Sequence, residues 1–244
     1  MILYFNSLYN INLNYFFMFD AIIPMRSGSK GINNKNLVNF HGEKLANYTI
    51  KKLLKIKEIK RIFILTDSLD YKKKLIKDKR INFEYIRPKK LSRDNSNINH
   101  VVYDFLIWSK KKFKLEKILF FHVTTPLISA QEIKKSISFI KKNKLQSLIH
   151  VSEMLEPPYE CINKTGKNWK FLVGNYVTNR QNFKNFYFIT GSMYYFTLKF
   201  FLKYKKAFNE KSYAYKVDKI NFVDINTSFD LEIAKRLKNL KQRN

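Results

Sequence analysis

The alternation of short apolar runs with segments of helical periodicity most constrains the fold of this chain. Apolar runs typical of buried strands occupy residues 20–24, 61–68, 82–88, 117–126 and 147–153. Apolar residues at helical spacing occupy 45–56, 98–108 and 129–142, and 70–78 predicts a shorter helix. Strands that alternate with helices in this order form a mainly parallel sheet covered on both faces. The sequence therefore predicts a doubly wound α/β fold.

The first apolar run leads directly into a loop of small and basic residues, and together they read AIIPMRSGSKGINNKN over residues 21–36. In parallel sheets, ligands bind beyond the carboxyl ends of the strands. Gly28 and Gly31 allow backbone N–H groups to approach a ligand, and Arg26, Lys30 and Lys35 supply positive charge. The loop is therefore suited to phosphates, although its spacing is neither that of a Walker loop nor Gly-x-Gly-x-x-Gly. Taken alone, the same residues could form a basic turn that binds nothing.

Further segments along the chain extend the pattern of this loop. They are HGEKLANYTI (41–50), LTDS (65–68), RPKKLSRD (87–94), VTTPL (123–127), ITGSMYYF (189–196) and VDINTSFDLEIA (223–234). In the same order, these segments resemble motifs of the acylneuraminate cytidylyltransferases, the enzymes that make CMP-sialic acid and related CMP-sugars. The resemblance covers nearly the whole chain from residue 20.

The resemblance implies a Rossmann-like nucleotidyltransferase fold that transfers CMP from CTP to the anomeric hydroxyl of a nonulosonic acid and releases pyrophosphate. It implies catalytic roles for Arg26, Lys35 and Asp224, and Mg²⁺ binding by Asp224 and Asn226. The positions expected to contact the nucleotide are Arg26, Ser29, Lys30, Lys35, Asn36, Arg87, Ser96 and His122. Those expected to contact the nine-carbon sugar are Thr124, Arg180 and Gln181.

Three departures from the family pattern leave an alternative open. His122 stands where the family has Gln, Ile128 where it has Arg, and Asn226 where it has the second Asp of Asp-x-Asp. His122 could bond the ligand or merely fill a strand end. Asn226 offers an oxygen but no charge, so Mg²⁺ affinity should fall. A degenerate paralogue that binds nucleotide or sugar without turnover is the alternative to an active enzyme.

Two residues have structural interpretations beside the functional ones. Asp224 precedes the segment that begins near Ser228, so it could cap a helix there instead of binding a metal. His150 lies in an apolar strand, where a hydrogen-bonded core histidine is a more common role than a ligand.

The predicted organisation has three parts. Residues 1–19 form an aromatic N-terminal extension, and Met18 is an alternative start of translation. Residues 20–154 and 188–244 form the cytidylyltransferase core. Residues 155–187 contain glycines and prolines typical of hairpin turns, and the resemblance implies that this insertion forms a homodimer.

Charge and cysteine content bound the remaining partners. The net charge is +28, but the lysines are spread over nearly every segment, so no nucleic-acid partner is expected. Asparagines interrupt the apolar N-terminal runs, so no membrane partner is expected either. The single cysteine, Cys161, excludes intramolecular disulfides and fits the cytoplasm.

Overall fold

The computed structural model describes residues 18–154, 156, 158–174 and 185–243. The longer strands are β1 (Phe19–Pro24), β4 (Ile59–Leu65), β6 (Lys117–Phe120), β7 (Ser147–Glu153), β10 (Tyr187–Thr197) and β11 (Tyr213–Lys216). The short strands are β2 (Asn39–Phe40), β3 (Glu43–Lys44), β5 (Ile81–Asn82), β8 (Ile162–Thr165) and β9 (Asn168–Phe171). The helices are α1 (Leu45–Leu54), α2 (Leu69–Lys74), α3 (Ile98–Ser109), α4 (Ala130–Lys142), α5 (Leu198–Tyr204) and α6 (Ser228–Arg243).

Seven strands form one sheet in the order β11, β7, β10, β6, β1, β4, β5. The pairs β1–β4, β1–β6, β4–β5 and β7–β11 are parallel. Strand β10 is antiparallel to both of its neighbours, β6 and β7. The predicted α/β fold with a mostly parallel sheet is therefore confirmed, and the antiparallel strand lies inside the sheet.

Helices cover both faces of this sheet because successive strand residues point to opposite sides. Ile22 and Phe63 face a core that includes residues of α3 and α5. Ile23 and Ile64 face the other core, which includes residues of α1, α4 and α6. All four of these strand residues are fully buried, which leaves the loops at the strand ends to carry the chemistry.

The predicted start of α4 is confirmed by a complete capping box. The Ser129 hydroxyl accepts a hydrogen bond from the Glu132 backbone N–H at 3.1 Å, and the Glu132 carboxylate accepts one from the Ser129 N–H at 2.9 Å. These two bonds fix the direction in which the chain leaves the segment 121–128.

The predicted strand over 82–88 was wrong in extent. Strand pairing covers Ile81 and Asn82 and resumes in a single bridge between Thr66 and Ile86. Between them, the Lys72 ammonium donates to the backbone carbonyls of Phe83 and Tyr85. The Lys72 side chain, which belongs to α2, thus occupies backbone carbonyls that would accept hydrogen bonds from a neighbouring strand in a regular sheet.

Three other strands differ from the prediction in their bounds. Strand β4 covers Ile59–Leu65 rather than 61–68. Strand β1 begins at Phe19 rather than at Asp20, because Phe19 is buried and pairs with Ile59. Strand β6 ends at Phe120 rather than near 126, and the Thr125 hydroxyl closes the turn that follows by donating to the His122 carbonyl at 3.2 Å. Residues 1–17 of the predicted extension lie outside the described residues.

The segment 155–187 contains the predicted hairpin in part. Strands β8 and β9 pair antiparallel, with Ile162 opposite Phe171, in a sheet separate from the main one. Trp169 on this hairpin is 57% exposed. Arg180 and Gln181 lie outside the described residues. Within the part of the chain that the structure describes, no helix is both long and apolar enough to cross a membrane.

Candidate active site

The loop that follows β1 is held at the carboxyl edge of the sheet by a carboxylate from the neighbouring strand. The Asp67 side chain, two residues beyond β4, accepts hydrogen bonds from the Ser27 N–H at 2.7 Å and the Ser27 hydroxyl at 2.9 Å. The Asn36 amide donates to the Arg26 carbonyl at 3.0 Å, which closes the loop from its other end. The residues between Arg26 and Asn36 are therefore fixed over the strand ends.

This loop forms one wall of a cavity of about 440 Å³. Its lining consists of Pro24, Arg26, Ser29, Lys30, Gly31, Lys35, Asn36, Arg87, Arg93, Asp94, Ser96, Ile98, His122 and Asn226. All eight residues predicted to contact the nucleotide lie in this lining, although they come from three separate segments of the chain. Their contacts with nucleotide stay a prediction.

Five cationic side chains converge on the cavity, and Arg26 and Lys30 share one partner. The Arg26 guanidinium lies 2.5 Å from the Asp94 carboxylate, and the Lys30 ammonium lies 2.9 Å from its second oxygen. The Lys35 ammonium donates to the Asn226 side-chain carbonyl at 2.9 Å. Arg87 is buried, and its guanidinium donates twice to the Leu91 carbonyl. Arg93 completes this group of cations in the lining.

Sequence reasoning missed Arg93 and Asp94 as cavity residues. Both stand at the end of the RPKKLSRD segment, whose motif match was the available signal. The Arg93 N–H donates to the Ser96 hydroxyl at 3.0 Å, so a tight turn brings this end of the motif to the cavity.

The pKa values of the charged groups reflect their positions. Burial lowers the pKa of Lys35, the nearby Asp224 carboxylate opposes this effect, and Arg26 adds to it. Burial likewise lowers the pKa of Arg87, against the opposing charge of Asp67. Hydrogen bonds from Lys30 and Arg26 hold the pKa of Asp94 below its usual range. The cavity is a crowded cationic site in which bound anions would be stabilised.

Asp224 and Asn226 stand at the rim of the cavity just before α6. The Asn226 amide nitrogen donates to the Asp224 carboxylate at 3.1 Å. The α6 cap is formed instead by Thr227, whose hydroxyl accepts from the Asp230 N–H at 3.3 Å, while Asp230 accepts from the Thr227 N–H at 2.8 Å. Asp224 therefore does not cap this helix, and its carboxylate is exposed to solvent.

Gly31 sets how closely the loop approaches this segment. A Cβ atom placed on Gly31 would lie 2.3 Å from the Asn226 backbone oxygen. Any side chain here would therefore push apart the two walls that carry Lys35 and Asn226. Glycine is therefore required at position 31 by this close approach, in addition to any need for a flexible loop.

The segment 224–226 also rests on the turn after β6. The Ile225 N–H donates to the Thr124 carbonyl at 2.8 Å. The Thr124 side chain is not part of the cavity lining, so its predicted contact with the sugar stays a prediction. Ile128, which replaces the arginine of the family pattern, is buried in the core.

The two histidines differ in their surroundings. His122 lines the cavity, and its ring lies 4.8 Å from Phe120 and 5.8 Å from Tyr194. Burial lowers its pKa, against the opposing charge of Asp224, so His122 enters the site as a neutral ring. It both packs at the strand end and faces the cavity.

His150 is a hydrogen-bonded core residue, as predicted. Its two ring nitrogens lie 2.8 Å from the Ser136 hydroxyl and 3.0 Å from the Ser192 hydroxyl. Burial lowers its pKa to about 3, against the opposing charge of Glu132.

Asp224 and Asn226 supply the oxygen atoms suited to a hard cation. Mg²⁺ prefers oxygen ligands and is commonly held by one or two carboxylates together with waters and substrate phosphates. Among the described residues, no group of three or more His, Cys, Asp or Glu side chains could hold a metal by itself. The donor set thus fits an ion that arrives with a phosphate ligand, and it fits poorly as a metal site in the free protein.

Comparison with protein families gives one match that covers most of the chain. A family model described as cytidylyltransferase matches residues 21–243. The chain is 26% identical over 214 residues to an N-acylneuraminate cytidylyltransferase of Streptococcus agalactiae, which covers 86% of this chain and 51% of that protein. The chain thus spans about half the length of this relative.

Two other relatives match along almost their whole length. A pseudaminic acid cytidylyltransferase of Campylobacter jejuni is 25% identical over 220 residues, with coverage of 89% of this chain and 94% of that protein. A CMP-N,N'-diacetyllegionaminic acid synthase of Legionella pneumophila is 26% identical over 230 residues, with coverage of 91% and 97%.

Solved structures show the same fold at lower identity. The 4-diphosphocytidyl-2C-methyl-D-erythritol synthase of Anaerococcus prevotii has a TM-score of 0.62 and 16% identity, covering 92% of this chain and 98% of that one. A CMP:2-keto-3-deoxy-manno-octonic acid synthetase solved with CTP has a TM-score of 0.61 and 11% identity, covering 93% and 100%.

Proposed function

The chain belongs to the cytidylyltransferase family, and we propose that it transfers CMP from CTP to the anomeric hydroxyl of a nonulosonic acid. The observation that carries this proposal is the cavity at the carboxyl edge of the sheet. It collects Arg26, Lys30 and Lys35 from the loop after β1 and Arg87 and Arg93 from the segment before α3, as a site for a highly charged polyphosphate requires.

The proposed reaction is a displacement at phosphorus. The anomeric hydroxyl of the sugar loses its proton to water as its oxygen forms a bond to the α-phosphorus of CTP, the bond to the bridging oxygen breaks, and pyrophosphate leaves with that electron pair. Negative charge develops on the leaving group, so fixed cations lower the barrier most where they face it. Arg26, Lys30 and Lys35 would bind the triphosphate, and the loop that carries Ser96 would face the cytosine.

Lys35 links the phosphate loop to the rim of the site. Its ammonium is held 2.9 Å from the Asn226 carbonyl oxygen, and Asn226 in turn donates to Asp224. This chain of contacts orients the ammonium before the nucleotide binds. A preorganised cation needs little rearrangement during the reaction and therefore stabilises the transition state effectively.

Mg²⁺ is the proposed metal, and Asp224 with the Asn226 carbonyl would hold it. When bound, Mg²⁺ would neutralise phosphate charge. Because Asp224 is the single carboxylate of the pair, we propose that the ion binds together with CTP rather than before it.

The acceptor is proposed as a sialic-type acid because relatives named for N-acylneuraminate, pseudaminic acid and diacetyllegionaminic acid match the chain at nearly equal identity. The similarity does not rank these three sugars. Thr124, Arg180 and Gln181 are the proposed contacts to the acid. A homodimer formed through residues 155–187 would bring a second chain to the sugar site, and a sequence with a single cysteine fits a reaction in the cytoplasm.

Pyrophosphate release tests the proposal. The protein is incubated with CTP, Mg²⁺ and each of the three acids in turn, and pyrophosphate is measured with a coupled enzyme. We expect release that requires both CTP and at least one acid. Release from CTP without an acid, or from another nucleoside triphosphate at equal rate, would contradict the assignment.

A degenerate paralogue is the second candidate, and Asn226 favours it because the rim has lost one negative charge. In that case the protein would bind CTP without turnover. Asn226→Asp restores the charge and separates the two candidates: a protein that is inactive as it stands and active as this variant is the degenerate form.

A further inference from the structure

Asp94 neutralises two of the cations that face the cavity. One carboxylate oxygen lies 2.5 Å from the Arg26 guanidinium, and the other lies 2.9 Å from the Lys30 ammonium. Arg26 and Lys30 belong to the loop after β1, whereas Asp94 belongs to the loop before α3. The two ion pairs therefore connect the loop after β1 to the loop before α3.

A second aspartate in the same region makes a different set of contacts. Asp67 accepts hydrogen bonds from the Ser27 N–H at 2.7 Å and from the Ser27 hydroxyl at 2.9 Å, and both of these donors are uncharged. Asp67 thus anchors the loop through Ser27 and takes neither of the two cations that Asp94 contacts. Asp94 instead pairs with the Arg26 guanidinium and the Lys30 ammonium, the charged groups that would bind a phosphate.

The contacts of Asp94 are open to exchange. The side chains of Arg26, Lys30 and Asp94 are 26%, 84% and 39% exposed. Ion pairs with this exposure are screened by water and contribute little to stability. A phosphate group, which carries more charge than a carboxylate and accepts the same donors, can displace Asp94 from both cations.

We infer that Asp94 is an internal counter-anion that occupies the phosphate-binding cations in the free protein and must be displaced by the phosphates of the ligand. This inference rests on the proposed function, in which those phosphates are the triphosphate of CTP. Because the Asp94 carboxylate must leave Arg26 and Lys30 before phosphates can bind them, Asp94 weakens the affinity for both CTP and pyrophosphate. Its return to Arg26 and Lys30 favours release of the pyrophosphate product.

Calorimetric titration of CTP and of inorganic pyrophosphate into three Asp→Asn variants tests this role. Asp94→Asn keeps a side-chain oxygen that can accept from Arg26 and removes the charge. We expect its Kd for both ligands to fall by at least about threefold. Asp67→Asn should weaken both ligands because the loop loses its anchor. Asp78→Asn, in the loop before β5, makes the same change in net charge away from the cavity and should leave both Kd values unaltered.

An unchanged or higher Kd for both ligands in Asp94→Asn would overturn the inference and make Asp94 a structural tie like Asp67. Asp94→Glu retains the charge and should bind both ligands more weakly than Asp94→Asn does. Equal affinities in these two variants would also overturn it. The pyrophosphate arm separates this test from the proposed function: wild-type protein that binds pyrophosphate but not CTP would refute the function, and the role of Asp94 would still be decided on pyrophosphate.

Discussion

Replacing Gly31 by alanine should damage the site by a steric effect whose size follows from the structure. The added Cβ would meet the Asn226 backbone oxygen at 2.3 Å, about 1 Å inside an ordinary non-bonded contact. The oxygen cannot move freely, because the neighbouring Ile225 N–H is bonded to Thr124 and the Asn226 N–H to Asp230. Overpacking of this kind costs about 2 kcal/mol, which for a chain of this size lowers the melting temperature by roughly 4–8 °C.

The displacement should also reduce turnover. Gly31 and Lys35 lie in the same loop, and a shift of about 1 Å in a positioning group can cost about a hundredfold in rate. Thermal unfolding and pyrophosphate release are therefore measured on the same variant.

Gly42→Ala is the matched control for Gly31→Ala. Gly42 has a φ of +81° in the turn between β2 and β3, and nothing lies within 4 Å of an added Cβ. A left-handed backbone conformation costs roughly 1–2 kcal/mol for alanine, so the loss of stability should be comparable while the site stays intact. The reasoning is refuted if Gly31→Ala keeps wild-type turnover and melting temperature, or if Gly42→Ala reduces turnover equally.

Three further predictions concern charge. Lys35→Ala should lower kcat/KM by an amount that corresponds to about 3 kcal/mol of lost transition-state stabilisation, the scale for loss of one preorganised charged donor. A fall in kcat/KM of less than tenfold would contradict the role of Lys35. Asn226→Asp should lower the Mg²⁺ concentration that gives half-maximal rate, since it adds a carboxylate beside Asp224, and an unchanged Mg²⁺ titration would contradict the metal assignment. His150 has a folded-state pKa of about 3, below its unfolded value, so it stays neutral while the unfolded chain takes up a proton, and stability falls as pH drops below about 6.5. Urea unfolding at pH 7 and pH 5 should show wild type losing about 2 kcal/mol more than His150→Gln; equal losses would contradict the buried neutral histidine.

Much of the fold could be predicted from the sequence, because local periodicity determines it. The apolar runs and the helical spacing predicted the strands and helices up to residue 153 except the two-residue strands β2 and β3, and the Ser129 capping box was readable from residue types alone. The antiparallel position of β10 could not be read in this way, because an apolar strand has the same pattern in either direction. Likewise, the interruption of β5 depends on the Lys72 side chain reaching carbonyls that are distant along the chain.

The candidate site was predicted in its residue types but not in its internal contacts. The order of the motifs predicted that Arg26, Lys35 and Arg87 lie in one site, and the cavity contains all three residues. The roles of Asp67 and Asp94 were not predicted, because the choice of which carboxylate faces a backbone N–H and which faces a cation is a matter of distances. The contact between Gly31 and Asn226 joins residues from opposite ends of the chain and has no local signal.

Direct identification of the product tests whether the protein transfers CMP to a nonulosonic acid. The protein is incubated with CTP, Mg²⁺ and N-acetylneuraminic, pseudaminic or diacetyllegionaminic acid, and the reaction is followed by ³¹P NMR and mass spectrometry. We expect a new phosphodiester whose mass equals that of CMP joined to the acid with loss of water, formed together with one pyrophosphate and absent with Asp224→Asn. Intact CTP with all three acids for both wild type and Asn226→Asp would contradict CMP transfer. Formation of the same phosphodiester by Asp224→Asn at the wild-type rate would contradict the role of Asp224.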